Sequence, residues 1–390
     1  MQGFTSITDM IESVKASKAD SSAVLPLDIR AEIDWTDFSS VHNPLGAPKQ
    51  ISDAISEAIT QGSLSFLPNK TGSALITQLA QICELPEESF MVGTSSFSAI
   101  SAVASAYRPC NVGIPVPAPA EYFLRVANVG HNPVKLTNPF SLAAIEPERA
   151  KNNGVRFEAA ILANPSYPCA RLLSEATLKK YLDCCNWVIV DESNIHLTMG
   201  GMSCLSLTKE YKNLIVVQNL SIEIGMPGVP ISYVVAHPDT MNFLRQFSDG
   251  STIGMFHEVI ASVLPDLGEY ISETEQLLDS EIPWLQCMLS LTPGIKIYPS
   301  EANFVMCSLE ERAVRELGIP SAAELIVRLQ KNGFTVRDLE GTPGIEGNKF
   351  FLVSVRAHEE NEQFVSTLRK IIKGDSGNEK NLRTHKSIPN

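Results

Sequence analysis

The chain has 390 residues, a 44% hydrophobic content and a formal net charge of −13. That length buries a sizeable core and suits one large domain with a smaller one beside it. The acidity, with no lysine or arginine run, excludes an electrostatic footprint for nucleic acid. No uninterrupted apolar stretch reaches the about 18 residues a membrane span needs. Met1 to Asp20 lacks an apolar signal region, so a cytoplasmic protein is expected. The eight cysteines form no CxxC pair, which reads as reduced thiols and no metal site.

Residues 1–34 read as a polar N-terminal extension. Ile51, Ala54, Ile55, Ala58 and Ile59 recur at the helical period, which predicts a helix over 49–61. Leu75, Ile76, Leu79 and Ile82 mark another. Short apolar runs then alternate with helical stretches: FMVG at 90–93, VGIP at 112–115, FEAAILA at 157–163, WVIVD at 187–191, LIVVQ at 214–218 and ISYVVA at 231–236. Such runs are buried parallel strands. Their alternation with helices predicts an α/β sheet covered on both faces, over a large domain from 35 to 274. Residues 35–60 are expected to contribute to the smaller domain as well. From about Pro293 the strands KIYPSEANFVMCS, FTVRD and KFFLVSV alternate more strongly, which predicts a small α+β domain over 275–373. Residues 374–390 have almost no apolar content and read as a disordered tail.

Ligands of open α/β sheets bind at the carboxyl ends of the strands. Here those ends carry Gly93, Asn164 and Asp191, and the loop after Gln218. Around them lie SSVHNPLGAP at 39–48, GTSSFSAI at 93–100, ANPSYPCARLLS at 163–174, VIVDES at 188–193 and LSIEIGMPGVPISY at 220–233. EANF at 301–304, VRD at 336–338 and SVRAHEEN at 354–361 follow. In this order and spacing the motifs resemble the class I/II aminotransferases, pyridoxal-phosphate (PLP) enzymes of fold type I. The nearest subgroups are threonine-phosphate decarboxylase and histidinol-phosphate aminotransferase. The resemblance covers residues 35 to 372. It implies a large domain with a mostly parallel seven-stranded sheet and a small C-terminal domain.

The resemblance also implies site residues. Asp191 corresponds to the aspartate that keeps the PLP ring nitrogen protonated; without PLP it reads as a strand-end cap. Asn164 corresponds to the asparagine at the 3′-oxygen, or is a plain turn residue before proline. Thr94, Ser95 and Ser221 match phosphate ligands, with backbone N–H groups at a helix start. Tyr122 lies beside the stacking position. Arg356, Arg337 and Asn43 match positions that take an anionic substrate; Arg356 reads otherwise as a surface ion pair and Arg337 as a turn residue.

The departures from the pattern concentrate on the chemistry. Ile222 stands where the resemblance places the lysine that forms the internal aldimine and moves the α-proton, and a hydrocarbon does neither. Pro230 stands for the phosphate-binding arginine and lacks even an N–H. Asn194 stands for the tyrosine at the 3′-oxygen, Pro119 for the stacking aromatic and Leu352 for the carboxylate-gripping arginine. Phe66 or Leu67 stands for the tyrosine that reaches across from a partner subunit. Each charged hydrogen bond lost removes about 1.5–3 kcal/mol. PLP is therefore expected to be held weakly and non-covalently if at all, with no catalytic residue at Ile222. The expected function is a catalytically silent homologue that binds a small anionic metabolite or a partner, as a homodimer. Two alternatives stand beside it. One is a non-catalytic subunit of a heteromer with a lysine-bearing paralogue. The other is an active enzyme of amino-acid or cobalamin-type metabolism that holds PLP non-covalently.

Overall fold

The computed structural model describes residues 35–69, 71–137, 156–247, 253–316 and 318–373. The expected N-terminal extension and C-terminal tail lie outside the described residues. The described residues from Asp37 onward form one compact unit.

Seven strands build the main sheet: β1 (Phe90–Gly93), β2 (Asn111–Pro115), β3 (Asn132–Leu136), β4 (Ala159–Ala163), β5 (Trp187–Asp191), β6 (Leu214–Gln218) and β7 (Ser232–Ala236). Their order is β1-β7-β6-β5-β4-β2-β3. All neighbours pair in parallel except those of β7, which runs antiparallel to β1 and to β6. β5, β6 and β7 are buried along their full length, as a strand covered on both faces must be. Side chains alternate between two cores. Val188, Val190, Val216 and Val235 join one cluster, and Ile189, Ile215, Val217 and Val234 join the other. β3 was not anticipated from sequence. It is an edge strand with Pro133 and Lys135, and only Val134 and Leu136 turn inward.

Helices α1 (Lys49–Thr60) and α2 (Ser73–Cys83) lay their apolar faces on the first cluster through Ile51, Leu75, Ile76 and Leu79. Ser95 starts α3 (Ser96–Ser105) by accepting the Ser98 N–H at 3.2 Å, a side-chain cap of a free helix donor. α4 (Ala120–Asn128) packs Tyr122 and Val126 on the second cluster. The 23-residue α5 (Gly268–Ser290) leads from this sheet into a second one.

The second sheet has four antiparallel strands: β8 (Ile295–Ile297), β9 (Phe304–Leu309), β10 (Arg337–Asp338) and β11 (Phe350–Ser354), ordered β10-β11-β9-β8. One face gives Val305, Cys307, Phe351 and Val353 to a cluster with α5, α6 (Ala322–Gln330) and α7 (His358–Lys373). Phe38 joins that cluster too, stacked on Phe364 at 4.4 Å. The opposite face turns Phe304, Met306 and Leu352 toward Cys169 and Ala170. The mostly parallel seven-stranded sheet with its helices is the α/β architecture expected from the strand pattern. No described helix is long and apolar enough to cross a membrane, and all eight cysteines are free thiols.

Candidate ligand site at the carboxyl ends of the central strands

β4, β5 and β6 end side by side, and their terminal residues set the floor of the site. Asp191 closes β5 and is buried. Its Oδ2 accepts the Tyr122 hydroxyl at 2.7 Å. Its Oδ1 accepts the Ser193 hydroxyl at 2.5 Å and the Ser193 N–H at 3.0 Å. Burial pushes this carboxyl above the ordinary aspartate value, and the Ser193 and Tyr122 hydrogen bonds pull partly back. Tyr122 is itself driven well up by burial and then by the Asp191 charge, so its proton stays on the phenol and is donated to Asp191.

Asn164 follows β4 and is 3% exposed. It donates to Glu192 Oε1 at 2.9 Å and accepts the Leu173 N–H at 2.9 Å. Glu192 is the hub of this region at 1% exposure. Besides Asn164 it accepts the Cys204 N–H at 3.0 Å, Gln218 Nε2 at 2.9 Å and the Ser203 hydroxyl. Gln218, at the end of β6, in turn accepts the Tyr233 hydroxyl. This network is saturated, which is the condition under which a buried polar cluster supports a fold.

The turn after β6 is built differently. Asn219 caps the short helix Leu220–Glu223, and its side chain accepts the Ile222 N–H at 3.3 Å. Ser221 is 2% exposed. Its hydroxyl donates to Val229 O at 2.5 Å and accepts the Ile231 N–H at 2.5 Å, so it staples the turn shut. Ile222 is half-buried and packs against the cluster holding Phe38, Leu197 and Leu278. Its carbonyl accepts the Asn43 N–H at 2.9 Å. The Asn43 side chain donates to Glu223 O at 2.8 Å and to Thr274 at 2.8 Å. Gly225 has φ +65, and a Cβ there would meet the Gly46 carbonyl carbon at 2.5 Å. Glycine is required at this crossing for both reasons.

The segment 39–43 links three of the expected residues. Arg337 is exposed and donates from Nε to Ser39 O at 3.0 Å. Arg356 is half-buried, with Nη1 3.2 Å from His42 Nε2 and Nε 3.6 Å from Glu360. Its Nε is buried with no hydrogen-bond acceptor among the described residues. Burial first, and then the Arg356 charge, lower the pKa of His42, so its neutral ring accepts from the guanidinium. Asn43 completes the segment at Ile222. Asp191 and Tyr122 are joined directly, and Asn164 reaches the same floor through Glu192. Thr94 and Ser95 stand at the turn between β1 and α3, with no hydrogen bond to this group among the described residues. Of the residues that the resemblance reads as departures, Leu352 is fully buried, Pro230 is exposed, and Phe66 and Leu67 are 75% and 92% exposed. Asn194 Oδ1 is buried without a donor. Glu192, Gln218 and His42 were not singled out in the sequence. The signals available were a second acid beside Asp191, a glutamine ending an otherwise apolar run, and a histidine inside SSVHNPLGAP.

Comparison with known proteins places this geometry. A family model described as aminotransferase class I and II matches residues 33–368. The chain is 24% identical over 346 residues to the histidinol-phosphate aminotransferase of Thermoanaerobacter pseudethanolicus, covering 84% of this chain and 91% of that protein. It is 28% identical over 343 residues to a putative threonine-phosphate decarboxylase of Caldanaerobacter subterraneus, covering 84% and 88%. The histidinol-phosphate aminotransferase structure from Clostridium acetobutylicum superposes with a TM-score of 0.77 at 22% identity, covering 87% of this chain and 99% of that one. The Sinorhizobium meliloti histidinol-phosphate aminotransferase in complex with pyridoxal-5′-phosphate superposes with a TM-score of 0.74 at 15% identity, covering 96% and 100%. These structures share the fold type I architecture.

Proposed function

The chain belongs to the class I and II aminotransferases, and within that PLP-dependent family we propose that it is a binding protein without aminotransferase chemistry, one that takes a small anionic ligand beside Arg356. The observation that carries this reading is Ile222. At the position matching the lysine, a hydrocarbon packs against the small-sheet core and offers no amine to an aldehyde. No lysine occurs between residues 219 and 233 to take over the role.

The residues present do not fit PLP well. Asp191 would suit a ring nitrogen, but three protein donors already occupy its oxygens, which leaves one acceptor position, on Oδ2. The Ser221 hydroxyl and the Asn164 amide are spent on the protein itself. Pro230 supplies neither charge nor N–H. No catalytic step is therefore derived through the cofactor. What remains is a binding group. Arg356 presents a buried Nε–H without a hydrogen-bond acceptor, beside neutral His42 and 3.6 Å from the Glu360 carboxylate that an anion would displace, and a largely desolvated guanidinium selects anions. The exposed Phe66 and Leu67 favour assembly with a second subunit. A homodimer and a heteromer with a lysine-bearing paralogue both satisfy that feature.

The test supplies PLP, 2-oxoglutarate and either histidinol phosphate or O-phosphothreonine to the purified chain. The expected result is no keto acid or decarboxylated product, together with calorimetric binding of a small anion such as orthophosphate that Arg356→Gln abolishes. PLP-dependent turnover that disappears in Arg356→Gln would overturn the reading.

A further inference from the structure

Arg356 follows β11 and is held by two unequal sets of contacts. Its backbone is clamped. The Asn361 side chain accepts the Arg356 N–H at 3.1 Å and donates to the Arg356 carbonyl at 2.7 Å. The same amide donates to Glu281 Oε2 on α5 at 2.8 Å. Asn361 is 0% and Glu281 5% exposed, so the clamp is closed to water. The guanidinium is held more loosely. Nη1 meets His42 Nε2 at 3.2 Å, and the Nε–H has no acceptor among the described residues. The nearby counter-charge is Glu360, in the first turn of α7, whose Oε2 lies 3.6 Å from Nε.

A charge-assisted hydrogen bond to a guanidinium closes to about 2.7–2.9 Å. At 3.6 Å Glu360 balances the Arg356 charge without satisfying its Nε–H. Glu360 Oε2 accepts the Ala357 N–H instead, at 3.3 Å, where the start of a helix favours a carboxylate. The arginine side chain is only 18% exposed and the glutamate 36%, so the pair is more than a solvated surface contact. A largely buried cation needs a counter-ion when no ligand is present. A tethered carboxylate that meets this need without a hydrogen bond is one that an incoming anion can displace. Asn361 keeps the Arg356 backbone in place during the exchange.

We propose that Glu360 is the built-in competitor of the anion site, a residue that occupies Arg356 until a more highly charged ligand displaces it; this rests on the anion-binding reading above. Its tether gives the carboxylate a high effective concentration. A singly charged anion only exchanges one charge for another and gains little. A doubly charged anion brings a charge more and wins the exchange, so Glu360 sets the site's specificity. Calorimetry of the full chain with orthophosphate and with acetate tests this in the parent, Glu360→Gln, Glu359→Gln and Arg356→Gln. The Glu360→Gln amide oxygen still accepts the Ala357 N–H, so the start of α7 is kept. This variant is expected to bind orthophosphate about three- to tenfold more tightly than the parent, and to gain acetate binding that the parent lacks. A purely structural glutamate would give a loss or no change. Glu359→Gln removes the same net charge from the exposed neighbour and is expected to match the parent. Orthophosphate binding that requires Arg356 but is unchanged or weaker in Glu360→Gln, or an equal gain in Glu359→Gln, would overturn this proposal alone. Orthophosphate binding absent from both the parent and Glu360→Gln would overturn the anion-binding reading and this proposal with it.

Discussion

The ends of β4, β5 and β6 lie side by side in the sheet and the last of them leads into the next turn, yet strand ends and turn use polar groups in opposite ways. At the strand ends, side chains bond to side chains: Asn164, Ser203 and Gln218 converge on Glu192, and Tyr122 on Asp191. In the turn, side chains bond only to backbone, and the outward position is Ile222. The first arrangement holds buried strand ends together, and any scaffold of this shape needs its polar atoms satisfied. The second closes a loop whose most exposed groups carry no chemistry. A fold-type scaffold is thus compatible with the inert reactive position proposed above, because the groups that stabilise it here are bonded to one another.

That contrast predicts where substitutions hurt. Glu192→Leu should have the largest effect, since it strands the donors of Asn164, Gln218, Ser203 and Cys204 in the core. A loss of about 3–5 kcal/mol is expected from a broken buried network, read as a shift in the denaturant midpoint. Gly225→Ala comes next. It combines positive φ with a collision against Gly46 backbone, and about 2–4 kcal/mol should be lost. An unchanged midpoint in this variant would mean the turn is not clamped to segment 43–46. Tyr122→Phe removes one donor from a buried carboxylate and should cost about 1–3 kcal/mol.

A smaller effect separates the two regions by pH. Asp191 has a raised folded pKa, so the folded chain keeps a proton that the unfolded chain releases. Stability contributed here is full below the ordinary value of 3.8 and falls as pH rises through the raised folded value. Asp191→Asn should lack that slope in denaturation series across acidic to neutral pH. His42 has the opposite sign: its lowered folded pKa makes stability fall as pH drops below the ordinary 6.5. The smallest effect is expected for Ile222→Lys. A lysine can lay its stem on the same cluster and keep its amine in water, so stability should change by about 1 kcal/mol or less. No visible PLP band should appear in it, nor in Ile222→Lys/Pro230→Arg, because Ser221 and Asn164 stay engaged. A stable coloured complex in either variant would show that the surrounding groups are still free to hold PLP.

Much of the fold was legible because burial writes itself into apolar runs. The runs at 90–93, 112–115, 187–191 and 214–218 became strands, and the helix expected over 49–61 spans Lys49–Thr60. The missed strand Asn132–Leu136 is an edge, where half the residues face solvent and a proline is tolerated, so no apolar run forms. The site was less legible. The resemblance marks Asn43 as an anion-binding position, but nothing local to it announces that its bonds run to Ile222, Glu223 and Thr274, the last 231 residues away. The pairing of Tyr122 with Asp191 across 69 residues has no local signature either. Such long-range bonds follow from the packing of α4 on the sheet, which no spacing encodes.

The most direct measurement is borohydride treatment of the purified chain with equimolar PLP, followed by peptide mass spectrometry. The account predicts no stoichiometric pyridoxyl adduct on any single lysine. A single lysine fully modified, and protected by an amino-acid substrate, would contradict it.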